Sequence, residues 1–479
     1  MHRRGVPLIG GVAALAGRRV AVFGAGSEGQ AFARQVGPSC AELVMVDDAV
    51  ENAPGFSAPR RASEAVLVEF DVQAPSALDG RPFDFVVHSP GVSRYDERLA
   101  AAARRGAVVT TPTALWLEDF QDRQVVAVTG SKGKTTTAML TAAVLGAYGL
   151  DVALAGNIGR PVTELYRDQT HDVFVVELSS FQTADVTTSP SVGVLTLLSP
   201  DHLDWHRNVE NYFDDKLRLF SARDDVPVAV NGCSEEAVAR TSQLAGRVRY
   251  GTGGPVRLEG SHVVLGERGP LDLEKFQLLG EHNLLNACGA VTAGHLLTGE
   301  FAEEGRLEDE LCAVTAPRSR LEPIGDRAGV GYIDDALASN PEGTLVALRV
   351  FAGRRIALIV GGQDRGLDFA PLARAIEAAS PQPVVVWLDD AGAAIAAALD
   401  DMASGAVRHQ APSLEAAVEV ASSSGVEVVL FSPAAPTPHA EGTYLDRSRR
   451  FRQAAGTARA GEARAGAAQA DGEPRRGSS

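Results

Sequence analysis

The sequence is poor in cysteine, in positive charge and in long apolar runs. Its four cysteines (Cys40, Cys233, Cys288 and Cys312) show no C-x-x-C spacing. A disulfide framework and a zinc knuckle are therefore excluded, and the four read as buried thiols in a reducing compartment. Lys and Arg number 45 against 61 Asp and Glu, for a net charge of −16. Such a chain repels nucleic-acid phosphates, so no nucleic-acid partner is expected; anionic small substrates stay open, because local basic residues decide that. No run is long and apolar enough to span a bilayer, so no membrane insertion is expected. His2-Arg3-Arg4 and Val6–Ala16 faintly resemble a signal peptide, but the apolar part is glycine-rich and Arg18-Arg19 lead straight into a strand. The expectation is an uncleaved, cytoplasmic chain. After Phe451 there is no aromatic or branched aliphatic residue. Residues 456–479 cannot bury enough apolar surface to order themselves and are expected to be disordered.

The rest is ordinary globular composition, 45% apolar and 22% charged over 479 residues. At roughly 150 residues per domain, about three domains are expected. The chain is organised around Val125–Thr137, VVAVTGSKGKTTT. Gln124–Val128 reads as a buried strand, Thr129–Gly133 as a glycine-punctuated turn, and Lys134 to Ala147 as a helix. Strand, glycine loop, Lys-Thr and helix form a phosphate cradle. Backbone N–H groups crowd an anion, Lys134 reaches terminal phosphates and the Thr135 hydroxyl can ligate Mg²⁺. The loop is shorter than the common G-x-x-x-x-G-K-[ST] form.

Upstream, the strand Arg19–Phe23 runs into Gly24-Ala25-Gly26-Ser27-Glu28-Gly29, and the next strand ends at Asp47-Asp48. This is a dinucleotide-type βαβ fingerprint of moderate specificity. A third strand, Phe85–Val87, ends at His88-Ser89-Pro90-Gly91, which by itself is no more than a turn. Beyond a seam at Thr111-Pro112-Thr113, strands at 151–154, 173–177 and 192–197 each end in polar residues: Asn157, then Glu177, then Asp201-His202. The alternation predicts a mostly parallel sheet covered on both faces. Glu177 is either a helix cap or a Mg²⁺ ligand completing a site with Thr135, and the ligand is favoured. Lys216, flanked by Asp214 and Asp215 in NYFDDKLRLF, reads on its own as a solvated lysine. Asn283 and Asn286 share one helix face; an amide can match an adenine edge, with capping as the competing use. From about Pro317 a further doubly wound unit is expected, its functional rim at the strand ends.

Taken together, TGSKGKTT, GNIG, ELSSFQ, PDHLDWH with DKLRLF, and EHNLLN resemble the Mur ligase family, and within it the MurD group. The resemblance runs from Arg19 to Phe451. It implies an α/β chain of three domains: an N-terminal Rossmann-like, UDP-binding domain (1–112), a central P-loop ATPase-type parallel sheet (113–316), and a C-terminal Rossmann-like, glutamate-binding domain (317–455). It implies an ADP-forming ligase of peptidoglycan synthesis that adds glutamate to UDP-N-acetylmuramoyl-L-alanine through an acyl phosphate. The loop Gly130, Ser131, Lys132, Gly133, Lys134, Thr135 and Thr136 would hold ATP. Asn283 would hold adenine, Asp335 ribose, and Arg320 the nucleotide phosphates. Thr135 and Glu177 would bind one of two Mg²⁺ ions. His202 would serve the second, with Lys216 as a carbamylated lysine. Asp47 and Ser89 would contact uridine diphosphate, and Asn157 with Ser179 and Ser180 the muramoyl-alanine arm.

The third domain departs from the family's D-glutamate pattern. Asp335-Ala336-Leu337-Ala338-Ser339-Asn340 carries leucine where that pattern has lysine, and Arg365 stands where a second lysine is expected. Thr437 and Tyr444 occupy the places of a serine and an aromatic. Inverting the α-carbon moves glutamate's two carboxylates onto different anchors, and Arg recognises carboxylates bidentately. The pattern resembles the L-glutamate-adding branch, whose product passes to an epimerase. The other readings are a D-glutamate enzyme with drifted residues, a folylpolyglutamate synthase-like ligase (against which the N-terminal nucleotide domain argues), a P-loop signalling protein and a non-catalytic relative.

Overall fold

The computed structural model describes residues 8–49, 72–157, 160–166, 168, 170–223 and 225–456. The expected disordered tail, apart from Gly456, lies outside them, as do Ile158 and Gly159 of GNIG. The chain divides into two compact units, one drawn from Met1–Phe276 and His282–Val314, the other from Gln277–Glu281 and Thr315–Ser479.

The first unit holds two parallel sheets. The first comprises β1 (Arg19–Phe23), β2 (Glu42–Val46), β3 (Val72–Gln73), β4 (Phe85–His88) and β5 (Val108–Thr110), in the order 3-2-1-4-5. Chain order reverses between β1 and β4, so the loops that follow them splay apart and leave a crevice at their carboxyl ends. The second comprises β6 (Gln124–Thr129), β7 (Val152–Gly156), β8 (Val173–Glu177), β9 (Val192–Leu195), β10 (Val228–Asn231) and β11 (Arg247–Tyr250), in the order 11-10-9-6-8-7. Every pairing in both sheets is parallel. β6 and β8 are buried nearly throughout, as continuous Val-rich runs in a sheet covered on both faces must be. Strand β9 stops two residues short of expectation. There Thr196 turns its hydroxyl onto the Lys132 carbonyl (2.7 Å) and the chain leaves the sheet. A small antiparallel sheet of β12 (Val256–Glu259), β13 (His262–Leu265) and β14 (Gly269–Pro270) follows.

The expected seam at 112/113 falls at the start of the helix Pro112–Asp119, in which seven of eight residues are buried. A helix apolar on all sides must be enclosed on all sides. Leu115 packs into the core of the first sheet, while Ala114, Trp116 and Leu117 pack into that of the second. This helix thus contributes to the cores of both sheets.

The second unit contains β15 (Glu322–Arg327), β16 (Val330–Asp334), β17 (Ile356–Val360), β18 (Val384–Trp387), β19 (Arg408–Gln410) and β20 (Val428–Phe431), in the order 15-16-20-17-18-19. It is doubly wound except at one edge, where β15 runs antiparallel to β16. That strand, EPIGDR, carries Pro and Gly and is largely exposed, so it has no apolar pattern to announce it. The cysteine expectation holds for Cys288 alone. Cys40 and Cys312 are half-buried and Cys233 is exposed, because its N–H donates to the Asn231 side chain (2.9 Å) in a turn at the surface. Among the described residues no helix is long and apolar enough to cross a membrane.

Candidate active site

In the second sheet, β6, β7, β8 and β9 are parallel, so their carboxyl ends share one rim. The loop Gly130–Gly133 leaves β6 there. Gly133 has φ +88°, a left-handed conformation that L side chains rarely adopt, and a Cβ on it would lie 2.8 Å from Asn286 Oδ1. The helix Lys134–Ala147 begins at once, with no side-chain cap. Its first N–H groups are thus left for an anion, reinforced by the helix dipole. Lys134 opens this helix, its Nζ 3.2 Å from the Ser131 carbonyl. The half-buried Thr136 lies in the same turn.

Ser131 holds the loop rather than facing outward. Its N–H donates to Leu197 O (2.6 Å), and its hydroxyl donates to Ser199 O (2.6 Å) while Tyr212 Oη lies 2.7 Å away. The exposed Lys132 pairs with Asp201 at 3.6 Å. Glu177, at the end of β8, is buried, and its two oxygens accept from Thr135 Oγ1 (2.8 Å) and Asn157 Nδ2 (3.2 Å). Three of the expected residues, from three different strand ends, therefore meet on one carboxylate.

Lys216 is the largest departure from local sequence reasoning. It is not solvated but 1% exposed, and its Nζ donates to Gly130 O at 3.0 Å. Burial and the neighbouring Lys134 charge push its pKa well below the usual lysine value, against the pull of Asp201 and Glu177. Helix geometry explains the misreading: Asp214 and Asp215 are sequence neighbours but face other directions. His202, at φ +51°, keeps half its side chain in solvent and packs its ring 4.8 Å from Phe181. Burial of its other half lowers its pKa. Ser179 is spent on a capping box with Gln182, leaving Ser180 as the hydroxyl that reaches further partners. Asn283 and Asn286 are both buried, their amides joined at 3.1 Å, with Asn286 against Gly133.

At the switch point of the first sheet lies a cleft of about 390 Å³ lined by Gly24, Glu28, Asp47 and Ser89–Val92. Asp47 accepts from the N–H groups of Ala25 (2.6 Å) and Ala49 (2.9 Å), so it braces the glycine loop. Burial pushes the Glu28 carboxyl up to about 7.

In the second unit, Asp335 and Ser339 follow β16, Arg365 follows β17, and Thr437 follows β20, three adjacent parallel strands. Asp335 is buried and accepts from Ser432 Oγ (2.7 Å) and the Leu321 N–H (3.1 Å); burial pushes its carboxyl up to about 7. Arg320, Ser339 and Arg365 are exposed, Thr437 is half-buried, and Tyr444 is 36% exposed at the start of the helix Tyr444–Ala455. Two buried groups of the first unit, His206 and Asp215, and the half-buried Glu28 were not singled out from the sequence. His206 and Asp215 are nine residues apart and carry no local pattern.

Residues 128–294 match the Mur ligase middle domain, and residues 319–435 the Mur ligase glutamate ligase domain. A UDP-N-acetylmuramoyl-L-alanine–L-glutamate ligase of Salinispora tropica is 37% identical over 456 residues, covering 92% of this chain and 98% of that one. One of the same name from Xanthomonas axonopodis pv. citri is 35% identical over 463 residues, covering 93% and 96%. The chain belongs to the Mur ligase family. Its fold is likewise that of Mur ligase structures. The UDP-N-acetylmuramate–alanine ligase MurC of Thermotoga maritima superposes with a TM-score of 0.55 at 20% identity, covering 91% of this chain and 98% of that one. The MurF ligase of Thermotoga maritima, solved with ADP, gives 0.55 at 14% identity, covering 94% and 96%. The chain is a ligase of the ATP-dependent, amide-forming kind.

The site fits a hard divalent cation held partly by substrate. Among the described residues no group of three or more His, Cys, Asp and Glu side chains converges as a metal cage. Thr135 and Glu177, a hydroxyl and a carboxylate in contact at a phosphate cradle, suit Mg²⁺, which keeps waters and phosphate oxygens among its ligands.

Proposed function

We propose that this Mur ligase joins L-glutamate to UDP-N-acetylmuramoyl-L-alanine with cleavage of ATP to ADP. The observation that carries the reading is the meeting of Thr135, Asn157 and Glu177 beside a buried Lys216 whose pKa is lowered. The alanyl carboxylate attacks the γ-phosphorus of ATP, giving an acyl phosphate and ADP. Glutamate's amine then attacks the acyl carbon, and phosphate leaves. Lys134 and the loop around it, Gly130–Thr136, would hold the phosphates, with Asn283 on adenine and Arg320 and Asp335 serving the rest of the nucleotide. Thr135 and Glu177 would hold one Mg²⁺, and His202 with carbamylated Lys216 a second. When bound, the ions would neutralise charge on the phosphoryl oxygens. Carbamylation needs a neutral amine: Nζ bonds to the carbon of CO₂, one C–O π pair moves onto oxygen, and a nitrogen proton leaves. Burial of Lys216 lowers its pKa and so favours that neutral amine.

Asp47 and Ser89 would contact the uridine diphosphate. Asn157 and Ser179 would serve the muramoyl-alanine arm, while Ser180, 2% exposed and bonded to His206, would hold the turn behind them rather than touch substrate. Ser339, Arg365, Thr437 and Tyr444 would read glutamate. The L-isomer is supported by the names of the relatives and by Leu337 and Arg365 at positions where the D-glutamate pattern has lysines. ATP and uridine nucleotide as substrates fit work in the cytoplasm, and an L-glutamyl product fits a later epimerase. The test mixes the purified chain with ATP, Mg²⁺ and UDP-N-acetylmuramoyl-L-alanine, offers L- or D-glutamate, and follows phosphate release and product mass. Product with L-glutamate alone is expected. Product with D-glutamate alone would overturn the stereochemistry, and none with either would overturn the ligase reading.

A further inference from the structure

Behind the rim of the second sheet lies a line of buried polar groups that the reaction as described does not use. Asp215, adjacent to Lys216, is 1% exposed. Its Oδ2 lies 2.8 Å from His206 Nδ1 and accepts from Tyr95 Oη at 2.9 Å; its Oδ1 accepts from Arg94 Nη1 at 3.2 Å. His206 Nε2 in turn lies 2.9 Å from Ser180 Oγ. The ring thus hydrogen-bonds the Asp215 carboxylate through Nδ1 and the Ser180 hydroxyl through Nε2.

The opposite end of the line is the loop that lines the cleft of the first sheet. Trp205 Nε1 donates to Pro90 O (3.1 Å), and Ser93 Oγ donates to Trp205 O (2.7 Å). Arg94 also pairs with Asp185 (3.4 Å), which meets His88 Nε2 at 3.0 Å, at the end of β4. Burying this many polar groups is tolerable only because each is satisfied, and a satisfied network of this kind holds one arrangement.

The order Ser–His–Asp also builds the nucleophile of serine hydrolases. Here Ser180 is 2% exposed, so no substrate carbonyl reaches its oxygen from outside. The line is a brace rather than a nucleophile.

We propose that Asp215 is a positioning residue. Through Tyr95 and Arg94 on one side and His206 and Ser180 on the other, it locks the Lys216 helix to the loop lining the uridine-nucleotide cleft, so that filling the cleft and forming the carbamate on Lys216 are coupled. This rests on the proposed function of Lys216, and the test separates the two. Chain equilibrated with ¹³C-bicarbonate is observed by ¹³C NMR for the carbamate signal, with and without UDP, in the wild type, Tyr95→Phe and Asp215→Asn. In the wild type UDP raises carbamate occupancy. In both variants that response disappears while UDP affinity, measured by calorimetry, stays within about threefold, and kcat falls roughly 10–100-fold, the usual cost of losing an outer partner of a ligand. Tyr95→Phe keeps the buried Asp215–His206 pair, so it reports even where Asp215→Asn unfolds the chain. No carbamate in the wild type would overturn the role of Lys216. A wild-type carbamate indifferent to UDP, or a response to UDP surviving in Tyr95→Phe, would overturn the coupling. Labelling of Ser180 by a fluorophosphonate would overturn the brace in favour of a nucleophile.

Discussion

At the rim of the second sheet the central polar groups, Glu177 and Lys216, are buried and already bonded to their neighbours, whereas at the carboxyl edge of the second unit most polar groups stand in solvent. Glu177 and Lys216 have lost nearly all contact with water and are held by Thr135, Asn157 and the Gly130 carbonyl. Arg320, Ser339 and Arg365 are exposed, and Arg365 donates to the Gln363 side chain at 3.3 Å. On the proposed function, the difference follows from the chemistry each place would serve. Phosphoryl transfer needs charges fixed in advance in a dry setting, where electrostatic effects are largest. A free amino acid can be gripped by side chains that order only when it arrives, at a cost in affinity.

The comparison can be broken by substitution. Lys134→Ala removes a charge from the preorganised rim and is expected to lower kcat on the order of 10³-fold with little change in the KM for glutamate, as read by steady-state kinetics. An effect confined to KM would mean that the rim is not preorganised. Glu177→Gln keeps the shape of the side chain and removes its charge. The Mg²⁺ concentration for half-maximal rate should rise roughly 10–100-fold. On the exposed edge the pattern should invert: Arg365→Lys keeps the charge but loses the bidentate fork, raising the KM for glutamate about tenfold with kcat nearly unchanged.

The smallest expected effect concerns Asp335, the buried exception on that edge. Its folded pKa, raised to about 7, lies above the ordinary carboxyl value. The folded state therefore keeps a proton that the unfolded chain has already released, and this contribution to stability is full at low pH and lost as pH rises from about 4 to 7. Thermal unfolding across that range should show Asp335→Asn with a flatter dependence than the wild type. An unchanged slope would mean that Asp335 is ionised in the fold.

Much of this was readable beforehand. The β6 strand, its glycine loop and the Lys134–Ala147 helix fall where VVAVTGSKGKTTT put them, because a buried parallel strand and a phosphate loop both demand particular residues at fixed places. The carboxyl-end loops of β1 and β8 were located for the same reason, and that of β16 through the family resemblance. Strand β15 was not, since it is held by backbone pairing to β16 and carries no apolar signature. The role of the Pro112–Asp119 helix as a joint was also hidden: its apolar residues could be counted, but not the two cores they enter.

The sequence by itself determined the order of strands and loops, the phosphate cradle and the family, because periodicity and short-range spacing are local properties. Only the tertiary structure decided that Lys216 is buried with its pKa lowered, that Ser179 caps while Ser180 reaches His206, and that Asp215 joins two loops more than a hundred residues apart. Burial and hydrogen-bond partnership depend on what the rest of the chain brings alongside, and no window of neighbouring residues contains that.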